Sequence, residues 1–110
     1  MAYLAKLDHA DVETRVKTLI IQGLPAGNVT QSDIASRMHM SARTLHNKLA
    51  SRNTNFHQLV EDTRRSLASA YMENPRMSVG EIAYLLGFSE ASNFSRAFKR
   101  WTGRSPSARR

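Results

Sequence analysis

Apolar residues recur along this chain with a helical period, interrupted at short intervals by capping and turn residues. The pattern predicts an all-α fold built from a succession of amphipathic helices. Between about Asp8 and Gln22, Val12, Val16, Leu19 and Ile20 share one face of an amphipathic helix. Asp8 is its expected cap, with Asp11 in the third position, and Gly23-Leu24-Pro25-Ala26-Gly27 its stop. Thr30 and Asp33 bracket a capping-box start for a short helix through Ile34, Ala35 and Met38. Ser41 then caps a helix that turns Leu45 and Leu49 inward and Arg43, His46, Asn47 and Ala50 outward.

A longer pattern runs from Asn55 to Glu73, with Phe56, Leu59, Val60, Leu67, Ala70 and Tyr71 on one stripe. Asn55 and Gln58 form its predicted capping box and Asn74-Pro75 its stop, giving about 20 residues and roughly 30 Å. Ser78 and Glu81 open another short helix, Ile82 to Leu86, followed by the turn Gly87-Phe88. Ser89 is the expected cap of a last helix, with Phe94, Ala97, Phe98 and Trp101 inward and Ser92, Ser95, Arg96 and Lys99 opposite. Thr102-Gly103 ends it, and Ser105-Pro106 is expected to keep the chain from resuming a helix.

The two halves repeat. A shift of 48 positions lays Thr30 on Ser78, Asp33 on Glu81, Ile34 on Ile82, Ala35 on Ala83, Met38 on Leu86, Met40 on Phe88 and Ser41 on Ser89. One extra residue in the second copy then aligns Leu45 with Phe94, Asn47 with Arg96 and Leu49 with Phe98. Each copy has the parts of a helix-turn-helix. A small residue, Ala35 or Ala83, sits where two short helices must meet closely, and Ile34 with Met40, or Ile82 with Phe88, locks their angle. The turn needs a residue that accepts positive φ; Gly87 does so freely, and His39, in the same place, at some strain. The predicted organisation is a first helix-turn-helix subdomain at 8–53, a linker helix at 54–74 and a second subdomain at 75–110.

The charge distribution adds a function class to that fold. The formal net charge of +7 is concentrated where acids are missing. No acid lies between Asp33 and Glu61, a stretch with Arg37, Arg43, Lys48 and Arg52; none follows Glu90, where Arg96, Lys99, Arg100, Arg104, Arg109 and Arg110 lie. Two basic zones suit two contacts with a polyanion, although charge alone is equally compatible with solvated surface. In a helix-turn-helix the second helix enters the major groove, so helices at about 41–52 and 89–102 are the expected readers. Arg43, His46 and Asn47 in the first unit, and Ser92, Asn93 and Arg96 in the second, are the candidate base-reading residues; Arg suits guanine and Asn adenine. Ser41, Arg52, Ser89, Lys99, Arg100 and Arg104 are the candidate phosphate contacts. A linker of roughly 30 Å approaches one turn of B-DNA, about 34 Å, so the two readers are expected in successive grooves.

Other chemistry is poorly represented. With no cysteine there is no disulfide or thiolate site, which agrees with a reducing cytoplasm. Apolar runs such as Thr18-Leu19-Ile20-Ile21 are too short for a membrane span, and no leader pattern opens the chain, so a soluble protein is expected. His9, His39, His46 and His57 lack close ligand spacing, Glu61 and Asp62 are adjacent and diverge on a helix, and no glycine-rich phosphate loop occurs. No enzyme activity, cofactor or metal is therefore expected. The rival is a non-specific nucleic-acid-binding or protein-interaction helical module; Phe94, Phe98 and Trp101 read as core, which leaves no stacking platform for single strands.

The stretch from Ile82 to Pro106, with Ile82-Ala83-Tyr84-Leu85-Leu86-Gly87-Phe88-Ser89 and Asn93-Phe94-Ser95-Arg96-Ala97-Phe98-Lys99-Arg100-Trp101-Thr102-Gly103, closely resembles the signature of AraC/XylS-type transcription regulators. The likeness extends over residues 8 to 110, including Met40-Ser41-Ala42-Arg43-Thr44-Leu45. It implies a seven-helix, two-lobed DNA-binding domain of a bacterial regulator, often an activator, with promoter DNA as its partner and RNA polymerase as a further one. It also implies base reading at positions matching Arg43, His46, Asn47, Ser92, Asn93 and Arg96. Asn47 stands where many members have Arg, and His39 where the turn glycine is usual. The family usually carries an N-terminal effector-binding or dimerisation domain that this chain lacks. An excised domain or a small stand-alone member is thus expected, and the start on Met1-Ala2-Tyr3 favours the former.

Overall fold

The first five described α-helices begin in the same way: an Asp, Thr, Ser or Asn side chain accepts the backbone N–H three residues on. The computed structural model describes residues 11–109 apart from Asn28. Among these, the caps are Asp11 (to Thr14, 2.8 Å), Thr30 (to Asp33, 3.1 Å), Ser41 (to Thr44, 3.1 Å), Asn55 (to Gln58, 2.8 Å) and Ser78 (to Glu81, 3.0 Å). They open α1 (Val12–Gly23), α2 (Gln31–Arg37), α3 (Ala42–Ala50), α4 (Phe56–Met72) and α5 (Val79–Leu85); α6 (Ala91–Thr102) and α7 (Pro106–Arg109) complete the described α-helices. Each cap satisfies a first-turn N–H that has no partner inside its helix.

Several expected boundaries shift. Asp11 is the N-cap of α1, not its third residue, and the Asp8 cap falls outside the described residues. After α1 a single 3₁₀ turn, Leu24–Ala26, ends at Gly27 with φ 74°, and its Leu24 is fully buried core where only a stop was expected. Gln58 does not complete a capping box; its amide donates to Asp62 at 2.9 Å. The α4 helix has 17 residues, so it is about 25 Å long rather than roughly 30 Å. Ser89 does not cap α6: Glu90 is the N-cap, without a side-chain bond. The reason is register. Leu45 lies four residues after its cap, and the extra residue of the second copy must be absorbed for Phe94 to hold the same inward position. Pro106, expected to prevent a helix, starts α7, because its fixed φ and missing N–H suit a first helical position; Ser105 Oγ accepts the Ala108 N–H at 3.2 Å.

Each helix-turn-helix closes on the same bonds. Met40 N–H donates to Ala35 C=O and Phe88 N–H to Ala83 C=O, both at 3.0 Å, and His39 and Gly87 donate to Ser36 and Tyr84 at the same distance. The turn residues take φ 58° at His39 and 81° at Gly87, the left-handed region predicted for both. A repeated sequence has thus produced a repeated backbone.

Two cores result. The first joins Val16, Ile20, Leu24, Ile34, Ala35, Met38, Leu45, Leu49 and Leu59; the second joins Ala68, Met72, Ile82, Ala83, Leu86, Phe94 and Phe98. The α4 helix serves both, with Leu59 in the first, Ala68 and Met72 in the second, and Leu67 packed against each. This is why one stripe failed to describe it: the buried face must turn between lobes, and Ala70, expected inward, is exposed. Thr63, buried between those positions, is satisfied by donating to Leu59 C=O at 2.7 Å. No helix among the described residues is long and apolar enough to cross a membrane.

Candidate nucleic-acid interface

The two helices that follow the turns, α3 and α6, bury one side in a core and expose the other. On α3, Leu45 and Leu49 anchor the helix, and Arg43, His46, Asn47 and Lys48 are exposed. Among the described residues none of those four side chains makes a hydrogen bond or ion pair, so their side-chain donors and acceptors are available at the surface. The Ser41 hydroxyl both accepts the Thr44 N–H and donates to Thr44 Oγ1 at 2.9 Å, which fixes the start of the helix.

On α6, Phe94, Ala97 and Phe98 are buried, with Phe94 5.8 Å from the Phe88 ring and 5.7 Å from that of Phe98. Their position directs Ser92, Arg96 and Lys99 outward, as expected; Asn93 is partly covered. Arg96 Nη2 donates to Asn93 Oδ1 at 2.7 Å, and Asn93 Nδ2 donates to Ser89 Oγ at 3.4 Å. Ser89, displaced from its expected capping role, thus ends a polar chain running along the outer face. Such a chain holds the Arg96 fork in one orientation at little entropic cost.

The candidate phosphate residues divide. Lys99 and Arg104 are exposed, and neither side chain has an ion-pair partner among the described residues. Arg52 and Arg100 are engaged. Arg52 reaches Glu13 at 2.8 Å and Asp11 at 3.3 Å, tying the end of α3 to the start of α1. That pairing raises the Arg52 pKa, chiefly through the Glu13 hydrogen bond, and Asp11 is lowered, first by the Thr14 N–H it accepts and further by Arg52. Arg100 donates to Glu61 at 2.9 Å, and the Trp101 indole N–H donates to the same oxygen at 2.9 Å. These contacts join α6 to α4 and identify Glu61, which sequence reasoning passed over as one of two diverging acids.

The bonds from Trp101 and then Arg100 hold the Glu61 carboxyl below its ordinary value of 4.5. A lowered folded-state pKa contributes stability that is fully present above that value and is lost as pH falls through the folded one. Glu61→Gln keeps an acceptor for Trp101 but cannot titrate. Thermal melts between about pH 6 and pH 3 should therefore show a smaller acid-induced loss in the variant than in the parent. Parallel losses in both proteins would remove Glu61 from the acid response.

Comparisons with known proteins agree with this geometry. A family model described as a helix-turn-helix domain matches residues 34–110. The ornithine utilization regulator of Pseudomonas aeruginosa is 39% identical over 107 residues, covering 96% of this chain and 31% of that protein. The HTH-type transcriptional regulator VirS of Mycobacterium tuberculosis is 37% identical over 97 residues, covering 88% of this chain and 28% of the relative. The chain therefore spans less than a third of these relatives' length. Among solved structures, a DNA-binding transcriptional dual regulator from Escherichia coli K-12 superposes with a TM-score of 0.83 at 28% identity, covering 92% of this chain and 90% of that one. The DNA-binding domain of the global transcriptional factor AdpA, solved with a target DNA, gives a TM-score of 0.70 at 25% identity, covering 91% and 90%.

Proposed function

Because the chain belongs to the AraC/XylS-type helix-turn-helix transcription regulators, we propose that it binds double-stranded promoter DNA sequence-specifically, with α3 and α6 in successive major grooves. The observation that carries this reading is the pair of helix-turn-helix units closed by identical backbone bonds, each presenting an exposed polar face on its second helix. Arg43, His46 and Asn47 read one half-site; Ser92, Asn93 and Arg96 read the other. Lys99 and Arg104 neutralise phosphates, the hydroxyls of Ser41 and Ser89 lie beside the backbone at the helix starts, and Arg52 and Arg100 serve mainly to brace the readers. The working division is a first unit at 8–53, a linker at 54–74 and a second unit at 75–110. As part of a bacterial regulator it acts in the cytoplasm, with RNA polymerase as a further partner.

Selection of bound sequences from random duplex DNA, followed by gel shifts against duplex RNA and single strands, tests the reading directly. Equal binding to all of them would identify a non-specific module. On the selected site, Arg96→Ala should lose about 1–3 kcal/mol and relax base preference at one position. Lys99→Ala should weaken all duplexes alike and reduce the salt slope by about 1. Identical profiles for the two variants would contradict the assigned roles.

A further inference from the structure

We infer that Arg64 is a positioning residue that clamps the second helix-turn-helix turn to the first lobe and thereby sets the half-site spacing the domain accepts; this rests on the DNA-binding reading above. The α4 helix, at about 25 Å, is shorter than the roughly 34 Å turn of B-DNA. Its length alone does not place α3 and α6 one turn apart, so the pose of each lobe on the helix decides the separation.

Arg64 lies on α4 one turn before Ala68, and it reaches away from its own helix to the second unit. Its Nε donates to Leu86 C=O at 2.8 Å, its Nη2 approaches Gly87 C=O at 3.5 Å, and its guanidinium carbon stands 4.6 Å above the Phe88 ring. Leu86 is the C-cap of α5, so the carbonyl that Arg64 satisfies is one the helix leaves without a partner, at the negative end of the helix dipole. One half-buried cation thus covers all three residues of the turn. Burial pulls its pKa down and the nearby Glu61 carboxylate opposes this, yet a guanidinium stays charged at any physiological pH.

The same turn also presses on the first lobe. A Cβ built on Gly87 would stand 2.6 Å from the Leu24 carbonyl oxygen, and Leu24 belongs to the first core. The same Cβ would stand 3.3 Å from Arg64 Nη2, so the turn meets the Arg64 guanidinium and first-lobe backbone together. Shallow grooves of about 220 Å³ and 170 Å³ flank Arg64, which lines both. The first unit shows that such a clamp is not needed to form the turn. Its equivalent residues, Met38 and His39, accept no side-chain hydrogen bond among the described residues, yet the turn closes on the same backbone bonds. What the clamp adds is the relation between lobes.

Arg64→Met keeps an apolar stem and removes the fork. Since the chain has no cysteine, Ser36→Cys and Ala108→Cys, both at exposed sites, allow specific spin labelling of the two lobes. Without DNA, the interlobe distance distribution should be narrow in the labelled parent and broadened by Arg64→Met. On selected duplexes whose half-sites are moved apart or together by one base pair, about 34° of twist, the parent should lose about 10-fold in affinity. Arg64→Met should lose less than about 3-fold for the same change while still discriminating the bases of each half-site. A distribution that stays narrow in the variant overturns the clamp whatever the DNA results. A uniform fall in affinity with an unchanged spacing profile overturns its role in spacing. A parent with a narrow, Arg64-dependent distribution that prefers no duplex sequence overturns the DNA-binding reading instead, and the spacing role with it.

Discussion

Phe94→Ala is expected to destabilise the protein by about 3–5 kcal/mol, the largest effect of any substitution considered, measured as a shift of the denaturant midpoint. Phe94 is fully buried in the second core, between the rings of Phe88 and Phe98 at 5.8 Å and 5.7 Å. Truncation removes the transfer free energy of the ring and leaves a cavity in the second core, where residues of α4, α5, the turn and α6 come together. The loss should be uneven along the chain. Amide exchange in α5 and α6 should accelerate more than in α1 to α3, because Phe94 belongs to the second core and Leu67 is the packing position common to both. DNA binding should weaken in step with the loss of α6, although the Phe94 side chain is fully buried and cannot itself reach DNA. A cost below about 1 kcal/mol, or equal acceleration in both lobes, would show that the aromatic cluster does not hold the second reader.

The second large effect is expected at Gly87, and its magnitude separates two causes. Gly87 and Gly103 have nearly the same left-handed backbone, φ 81° and 85°. An alanine Cβ would meet nothing within 4 Å at Gly103, whereas at Gly87 it would stand 2.6 Å from the Leu24 carbonyl oxygen. Gly103→Ala should therefore cost only the conformational strain, about 1–2 kcal/mol. Gly87→Ala should cost about 2–5 kcal/mol, since the same strain is joined by a contact with backbone that no rotamer change can relieve. The displaced atoms also belong to the interlobe contact, so Gly87→Ala should lower DNA affinity more than Gly103→Ala does at matched stability. Equal unfolding costs for the two variants would mean that the lobes part freely at Leu24.

These two sites also show what could be read along the chain. The positive φ at His39 and Gly87, the small residues Ala35 and Ala83, and the buried Phe94 and Phe98 were all legible, because the helix-turn-helix is made from contacts within about 15 residues and each carries a residue-type signature. Capping was legible for the same reason, with informative exceptions. Ser89 and Pro106 each satisfied a local rule, but the register of Phe94 moved the cap of α6 to Glu90, and Pro106 took the helical position that proline tolerates best. The α4 stripe was misdrawn at Ala70 because one helix facing two cores has no single face.

Electrostatics resisted reading for a different reason. Arg52, Lys99, Arg100 and Arg104 are alike as sequence, each a cation in an acid-poor stretch. Their partners decide their roles, and those partners lie far away: Glu13 is 39 positions from Arg52, and Glu61 is 39 from Arg100. Arg64 is subject to the same limit, since its target carbonyl at Leu86 is 22 positions on.

By itself the sequence determined six of the seven described α-helices to within a few residues, the repeated turn and the outward faces of the two readers, because periodicity, capping and left-handed turns are short-range consequences of residue type. Only the tertiary structure decided which cations remain available for phosphate and how the lobes sit on a linker shorter than expected. Those outcomes depend on Leu24, Glu61, Arg64 and Gly87 meeting across two cores, and packing over such separations leaves no period in the chain.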